Sequence, residues 1–192
     1  MQQKLIVITG ATGTGKTTVS RYLQATYNIQ RVMTHTTRPK RVGEVDGVDY
    51  HFETADSFAK NHYIEAVTYA GFRYGSSFES LDAAWRRANF ASIVLDTAGA
   101  ITYAKTLGPK IAVLYLTIQD PAVLKARLLA RGDDPKMIAA RLASPEYSRD
   151  LQLPPALAPY AHVVVNDDWQ AACRQIDSFM KHLALSAAGL PG

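Results

Sequence analysis

A glycine-rich stretch near the start of the chain carries residue types that can hold phosphate. Residues 10–17 read GATGTGKT and fit the pattern G-x-x-x-x-G-K-S/T of phosphate-binding loops. Glycine permits the tight turns that point successive backbone N–H groups at phosphate oxygens. Lys16 can reach the terminal phosphates, and the Thr17 hydroxyl can ligate Mg²⁺. We predict that a nucleoside triphosphate, ATP or GTP, is bound with Mg²⁺ by Gly10, Ala11, Thr12, Gly13, Thr14, Gly15, Lys16, Thr17 and Thr18.

The segments on either side of this loop fit the context that the motif requires. Residues 4–9 (KLIVIT) form a short apolar, β-branched run that is typical of a buried parallel strand. Residues 17–27 place Val19, Tyr22 and Leu23 at helical spacing. A glycine-rich turn that matched the motif by chance would lack these neighbours, so the context favours a phosphate loop.

Strand and helix patterns alternate along most of the remaining chain. Predicted strands at 28–33, 92–96, 110–117 and 162–166 alternate with predicted helices at 98–107, 121–131, 136–142 and 169–185. Between 34 and 88 the patterns instead predict a strand at 50–52, a helix at 55–60, a hairpin of 64–69 with 72–74, and a helix at 78–88. We therefore predict an α/β fold, with a P-loop parallel sheet flanked by helices and an inserted small mixed α/β lobe.

Composition argues against several classes of function. The 192 residues carry a formal net charge of +4 without a block of Lys and Arg, which disfavours a nucleic-acid partner. No apolar run predicts a membrane span or a signal peptide. The single cysteine, Cys173, allows no intramolecular disulfide and fits a reducing compartment. We expect a cytoplasmic protein without membrane partners, either a monomer or a homodimer.

Four stretches of the chain resemble the guanylate kinase family. Residues 36–50 (TTRPKRVGEVDGVDY) are similar to its nucleotide-monophosphate motif nearly residue for residue, and Glu65 with residues 74–76 (YGS) resembles the next motif. Residues 127–141, which include Arg131 and Gly132, resemble its lid, and residues 163–168 (VVVNDD) its last strand. The resemblance implies one domain, residues 1–192, with a core at 1–33 and 89–192, a GMP-binding lobe at about 34–88 and a lid at about 131–142.

The resemblance implies transfer of the γ-phosphate of ATP to GMP or dGMP. Arg38, Arg41, Tyr50 and Tyr74 would then hold the phosphate of GMP. Arginine binds phosphate oxygens through two parallel N–H donors, and tyrosine hydroxyls add donors without adding charge. Taken singly, the arginines fit a solvated loop and the tyrosines fit core packing. Their joint spacing favours the phosphate site.

For the base, the resemblance implies that Glu65 accepts hydrogen bonds from guanine N1–H and the 2-amino group. Thr34 and Ser76 would address the rest of the base edge. Adenine lacks that pair of donors, so a buried carboxylate left unpaired would reject AMP. The alternative for Glu65 is an exposed carboxylate on a strand, and the alternating hairpin pattern favours the binding role.

Further positions take roles from the resemblance in the transfer itself. Arg131 and Arg141 would close over the phosphates and form the catalytic set with Lys16 and Arg41, because phosphoryl transfer depends on positioning and positive charge. Their alternative is two ordinary arginines on a helix surface. Asp96 would hold Mg²⁺ through water or help to place GMP, although it fits a helix N-cap equally well. Arg127 and Asn166 would contact adenine.

The chain departs from the family pattern at three points. Val94 stands where the family has an acidic residue that helps to read guanine, and Ala98 replaces a glutamine. The spacing between Arg131 and Arg141 is one residue shorter than the usual lid. Loss of a carboxylate at position 94 predicts weaker base affinity or relaxed base selectivity, with the phosphate site retained. A shorter lid predicts misplaced arginines and a slower reaction.

Two alternatives keep the fold and change the function. A kinase of a phosphorylated sugar such as ribose bisphosphate would have no use for a guanine-reading edge. A non-catalytic binding module of the guanylate-kinase type would typically lack the phosphate loop, which is intact here. Both alternatives are therefore disfavoured.

Overall fold

A computed structural model describes residues 2–69, 71–130 and 135–189. In chain order the strands are β1 (Lys4–Thr9), β2 (Gln30–Arg31), β3 (His35–Thr36), β4 (His51–Phe52), β5 (Tyr63–Tyr69), β6 (Phe72–Ser77), β7 (Phe90–Val94), β8 (Ile111–Thr117) and β9 (Ala161–Val165). The helices are α1 (Lys16–Tyr27), α2 (Ala55–Phe58), α3 (Phe78–Arg87), α4 (Thr97–Leu107), α5 (Pro121–Ala130), α6 (Pro135–Leu142), α7 (Pro145–Asp150) and α8 (Trp169–Ala187).

The main sheet has five parallel strands in the spatial order β2-β7-β1-β8-β9. Its central strand, β1, is fully buried from Leu5 to Ile8 because helices cover both faces. Leu5 and Val7 pack in a core formed with α3 and α4, whereas Ile6 and Ile8 pack in a second core with α1 and α8. The period of two along a strand produces this division. A parallel sheet flanked by helices is therefore confirmed.

A second sheet has the order β4-β3-β6-β5 and lies within residues 35–77, inside the predicted lobe. His35 connects its parts: Nδ1 lies 2.8 Å from Glu53 Oε1, and Nε2 lies 2.9 Å from Ser77 Oγ. The β5–β6 hairpin is antiparallel and irregular between Tyr63 and Glu65. The second sheet confirms a mixed lobe beside the main sheet. The exact limits of the core, the lobe and the lid stay predictions.

Helix ends follow capping side chains. Thr54 and Ser77 accept hydrogen bonds from the backbone N–H groups three residues later, as predicted for α2 and α3. The predicted strand at 92–96 instead runs over residues 90–94, because Asp96 caps α4. Strand β3 and helix α7 were not predicted. Pro145 is the first residue of α7, directly after the capping Ser144.

Helix α8 joins the phosphate-loop helix α1 through aromatic and carboxylate contacts. Asp177 Oδ1 accepts hydrogen bonds from the hydroxyls of Tyr22 (2.7 Å) and Tyr27 (2.6 Å). The Trp169 ring packs edge-on against Tyr22, with centroids 5.5 Å apart. Trp85 lies in the other core and donates to the Lys4 carbonyl.

Within the described residues, no helix has the length and apolar character needed to cross a membrane.

Candidate active site

The glycine-rich loop curls between β1 and α1 as its sequence predicts. Gly10, Gly13 and Gly15 have φ angles of 129°, 83° and 97°, which side chains rarely permit. A Cβ on Gly10 would lie 2.1 Å from the carbonyl oxygen of Leu116 on β8. The Thr14 hydroxyl donates to the Ala11 carbonyl at 2.8 Å and closes the turn. The loop can therefore form only with glycine at its first position.

Lys16 is the first residue of α1, and its ammonium group reaches back across the loop. Nζ donates to the carbonyl oxygens of Gly10 (2.6 Å) and Ala11 (2.9 Å). The helix N-terminus behind it adds a partial positive charge. A cavity of about 560 Å³ opens at this point, and its described lining includes Lys16, Arg21 and Arg127 but no carboxylate. The cavity and its charge fit a polyphosphate.

Asn166 braces the loop from the end of β9. Its side chain is buried, and Nδ2 donates to the Thr14 carbonyl at 2.7 Å. A Cβ on Gly15 would come within 2.5 Å of that nitrogen. Arg127 lies nearby and donates to the Asp167 carbonyl at 3.2 Å. Contact of Asn166 or Arg127 with adenine stays a prediction, and the observed role of Asn166 is to support the phosphate loop.

A second cavity, of about 360 Å³, lies between the main sheet and the lobe. Five residues predicted from the sequence line it: Thr34, Tyr50, Glu65, Tyr74 and Asp96. Val94 also lines it, at the position where the resemblance expects a carboxylate. Ser76 is fully buried beside it, and its hydroxyl donates to Glu65 Oε2 at 3.2 Å. The structure therefore brings the predicted base-reading groups together.

A third cavity, of about 310 Å³, shares lining residues with each of the other two. Thr17 and Arg21 line both this cavity and the phosphate-loop cavity. This cavity also shares Thr34, Tyr50 and Val94 with the second cavity, which contains Glu65. The three cavities therefore adjoin one another in a row from the glycine loop to Glu65. A phosphate donor at one end and an acceptor at the other would meet near Thr17.

Burial controls the charge of Glu65. Loss of solvent raises the pKa of its carboxyl, the nearby Asp96 carboxylate raises this pKa further, and the hydrogen bond from Ser76 lowers it. The ionised form accepts hydrogen bonds and the neutral form also donates one. The pocket therefore presents different hydrogen-bonding groups above and below the pKa of Glu65.

Asp96 caps the N-terminus of helix α4, which is the second of the two roles that the sequence allowed for it. Oδ1 accepts from the backbone N–H of Gly99 at 2.7 Å, and Oδ2 accepts from Arg149 Nη2 at 2.8 Å. Arg149 Nε also contacts the buried Asp150 carboxylate at 2.8 Å. Both oxygens of Asp96 thus have protein partners. Its contact with Mg²⁺ through water, or with GMP, stays a prediction.

The side chains that line the cavities decide whether Mg²⁺ could be held there. No group of three or more His, Cys, Asp or Glu side chains suited to a metal lies within the described ranges. Mg²⁺ needs only one or two protein oxygens when phosphates and water complete its shell. Thr17 lines both the phosphate-loop cavity and the third cavity, and it supplies a hydroxyl there. The residues present therefore fit a nucleotide-bound Mg²⁺.

Arg38 and Arg41 lie on the lobe beside the cleft. Arg38 forms a two-fold pair with Glu44, at 3.0 Å and 2.8 Å, and its guanidinium packs 5.8 Å from the Tyr50 ring centroid. The same pair lowers the pKa of Glu44 and raises that of Arg38. Arg41 is exposed, and its backbone N–H donates to Glu44 at 2.7 Å. The described linings of the three cavities include neither arginine, so their phosphate contacts stay predictions.

The predicted lid lies partly outside the described residues. Arg131 falls in the undescribed segment 131–134, together with Gly132. The backbone of Arg141 belongs to α6, but its side chain is outside the described part of the structure. The effect of the shortened spacing between these arginines therefore stays a prediction.

Two cationic residues of the site were missed by the sequence reasoning. Arg21 follows Thr17 by four residues, one helical turn, so helical spacing from the motif offered a signal for it. Arg149 pairs with Asp96, which lies 53 positions earlier in the chain. No local pattern could have indicated that pair.

The sheet and glycine loop define a P-loop nucleotide-binding protein. A sequence profile described as guanylate kinase matches residues 2–183. The guanylate kinase of a Thermus thermophilus strain is 32% identical over 173 residues, covering 87% of this chain and 76% of that protein. That of Neisseria gonorrhoeae is 33% identical over 174 residues, covering 88% and 82%. The chain belongs to the guanylate kinase family.

A solved structure agrees at the level of the fold. A crystal structure of guanylate kinase from Anaplasma phagocytophilum superposes with a TM-score of 0.64 and covers 94% of this chain and 85% of that one. Its sequence identity is 20%. This similarity supports the architecture of sheet, lobe and loop.

Substitution of glycine in the loop tests the close approach to β8. We expect Gly10→Ala to lower the free energy of unfolding by about 3 kcal/mol or more, because it combines backbone strain with a clash against a backbone oxygen. Gly43→Ala is the control: its φ is 88°, nothing lies within 4 Å, and about 1–2 kcal/mol is expected. Urea unfolding measures both, and equal losses would contradict the role of Leu116.

Proposed function

We propose that this protein transfers the γ-phosphate of ATP to GMP, giving ADP and GDP, with Mg²⁺ as cofactor. The observation that carries the proposal is the row of adjoining cavities that runs from the glycine loop to a pocket lined by Glu65, with Ser76 buried beside it. Family membership supports the same reaction. We also propose a cytoplasmic location, because both substrates are cellular nucleotides and the single cysteine fits a reducing compartment.

The donor end of the cleft positions the polyphosphate. Backbone N–H groups of residues 13–18 and the α1 N-terminus bind its oxygens, and Lys16 exchanges its carbonyl partners for the terminal phosphates. Thr17 would hold Mg²⁺, which would supply positive charge to the phosphates. Arg21 lines the point where donor and acceptor meet. We propose that Arg131 and Arg141 add further charge there during transfer.

The acceptor end selects and orients the base. The ionised Glu65 carboxylate accepts N1–H and the 2-amino group of guanine, and Thr34 and Ser76 address the remaining edge. Arg38, Arg41, Tyr50 and Tyr74 hold the phosphate of GMP. A half-buried carboxylate in the pocket disfavours a sugar bisphosphate, because a second phosphate would meet like charge.

A turnover panel tests the reaction directly. We expect coupled ADP release with ATP, Mg²⁺ and GMP or dGMP, and far less with AMP, CMP, UMP or ribose bisphosphate. Lys16→Ala should lower kcat by about 10²–10³-fold, as expected for a removed charge contact to a transferring phosphoryl group. Lys181→Ala, an exposed lysine on α8, is the control. ATP binding without turnover on any nucleotide would contradict the proposal.

Restoration of the missing carboxylate tests the role of position 94. We expect Val94→Asp to lower the KM for GMP several-fold, with a smaller change for IMP, because IMP lacks the 2-amino donor. Val94→Asn matches the size without the charge. An equal change for GMP and IMP in both variants would show that this position does not contact the 2-amino side of the base.

The raised pKa of Glu65 gives opposite pH dependences to catalysis and to stability. We expect kcat/KM for GMP to fall on the acid side with a midpoint above the usual value for glutamate, about 4.3, because the ionised form binds guanine. The ionised form is also the less stable one in this pocket, so Glu65→Gln should be more stable than wild type at pH 7. That gap should close as the pH falls through the pKa of Glu65.

The two readouts check each other. Urea unfolding at several pH values gives the stability gap, and steady-state rates give the acid limb, which should be absent in Glu65→Gln. A stability gap that widens on acidification would show that the pKa of Glu65 is lowered and would overturn this account.

A further inference from the structure

The hydroxyl of Tyr103 is a buried donor without a partner. Tyr103 lies on α4, its side chain is fully buried in the core formed with β1, and its oxygen makes no hydrogen bond to the described residues. Burial raises the pKa of this hydroxyl, so it stays protonated and can donate. An unpaired buried hydroxyl lowers stability, so its presence calls for a physical reason.

Other tyrosines of this protein do not show this feature. Tyr115 is also buried in the same core, but its hydroxyl donates to the Asp150 carbonyl at 2.9 Å. Tyr22 and Tyr27 both donate to Asp177. The core can therefore pair tyrosine hydroxyls, and Tyr103 is an exception among these four.

The polar neighbours of Tyr103 belong to the base pocket. The Ser76 hydroxyl is close enough to act on the Tyr103 hydroxyl as a hydrogen-bonding group and lowers its pKa, without meeting the geometry of a full hydrogen bond, and the Glu65 carboxylate raises this pKa. Ser76 is fully buried, and its hydroxyl donates its only hydrogen bond to Glu65 Oε2 at 3.2 Å. The oxygen of Ser76 retains lone-pair capacity for a second hydroxyl. The Tyr103 hydroxyl therefore lies next to Ser76, the serine that we propose for contact with the base.

We propose that Tyr103 is a positioning residue for base recognition, whose hydroxyl donates to Ser76 Oγ when a guanine base occupies the pocket. This inference rests on the proposed function. A bound guanine brings two N–H donors to Glu65 and an acceptor oxygen at C6. Ser76 then turns its proton from Glu65 to that oxygen, and the hydrogen bond from Tyr103 fixes and polarises the serine hydroxyl. Tyr103 itself does not touch the base.

The proposal predicts opposite effects of one substitution on stability and on binding. Tyr103→Phe removes an unpaired hydroxyl from the free protein, so Tm should rise by about 2–4 °C. It also removes a hydrogen bond from the complex, so the KM and Kd for GMP should rise by about 3–10-fold while kcat changes by less than about twofold. Thermal unfolding, calorimetric titration with GMP and steady-state kinetics measure these quantities.

Two matched variants separate positioning from packing. Ser92→Ala removes another buried unpaired hydroxyl, on β7 and outside the cavity linings, so Tm should not fall and the KM for GMP should stay constant. Tyr115→Phe removes a paired hydroxyl from the same core, so Tm should fall while the KM stays constant.

The outcomes are distinct. A higher Tm with weaker GMP binding in Tyr103→Phe supports the inference. An unchanged KM and Kd, or a lower Tm, would overturn it. Failure of the wild-type protein to bind or turn over GMP would refute the proposed function instead, which the wild-type titration shows before any variant is measured.

Discussion

The approach of Gly10 to the carbonyl of Leu116 is the constraint on which the site depends. It lets the backbone leave the centre of the sheet and turn at once into α1, with no side chain between the loop and β8. Asn166 then closes the far side by holding the carbonyl of Thr14. Three strands of one parallel sheet, β1, β8 and β9, therefore supply the loop, the surface behind it and its brace. This explains why ligands of such sheets bind at the carboxyl ends of the strands.

Charge is divided along the cleft in the way that the proposed chemistry requires. The phosphate end is lined by Lys16, Arg21 and Arg127, and the base end by Glu65 and Asp96. Both oxygens of Asp96 already have protein partners, so Glu65 is the carboxylate that we propose for recognition of the base. Val94 lines the same pocket where the resemblance expects a carboxylate, so in the proposed function the groups that orient Glu65 gain importance.

The sequence predicted what is local and periodic. The limits of β1, the glycine loop, the capping residues Thr54 and Ser77, and the mixed lobe followed from spacing and turn chemistry. The pocket residues followed from a resemblance whose motifs are nearly continuous in the chain. Short strand β3 could not be predicted, because two residues carry no period and depend on neighbours far along the chain. The same holds for the Arg149–Asp96 pair and for the unpaired hydroxyl of Tyr103.

The two tryptophans lie in different parts of this arrangement, with a spectroscopic consequence. Trp85 is buried against the start of β1, in the core shared with α4. Trp169 is partly exposed and packs on Tyr22 of α1, the helix that begins at the phosphate loop. Emission from Trp169 therefore reports on the contact between α8 and α1, while emission from Trp85 reports on the core. With one of them replaced by phenylalanine, intrinsic fluorescence follows the contact between α8 and α1 separately from the core, without any attached dye.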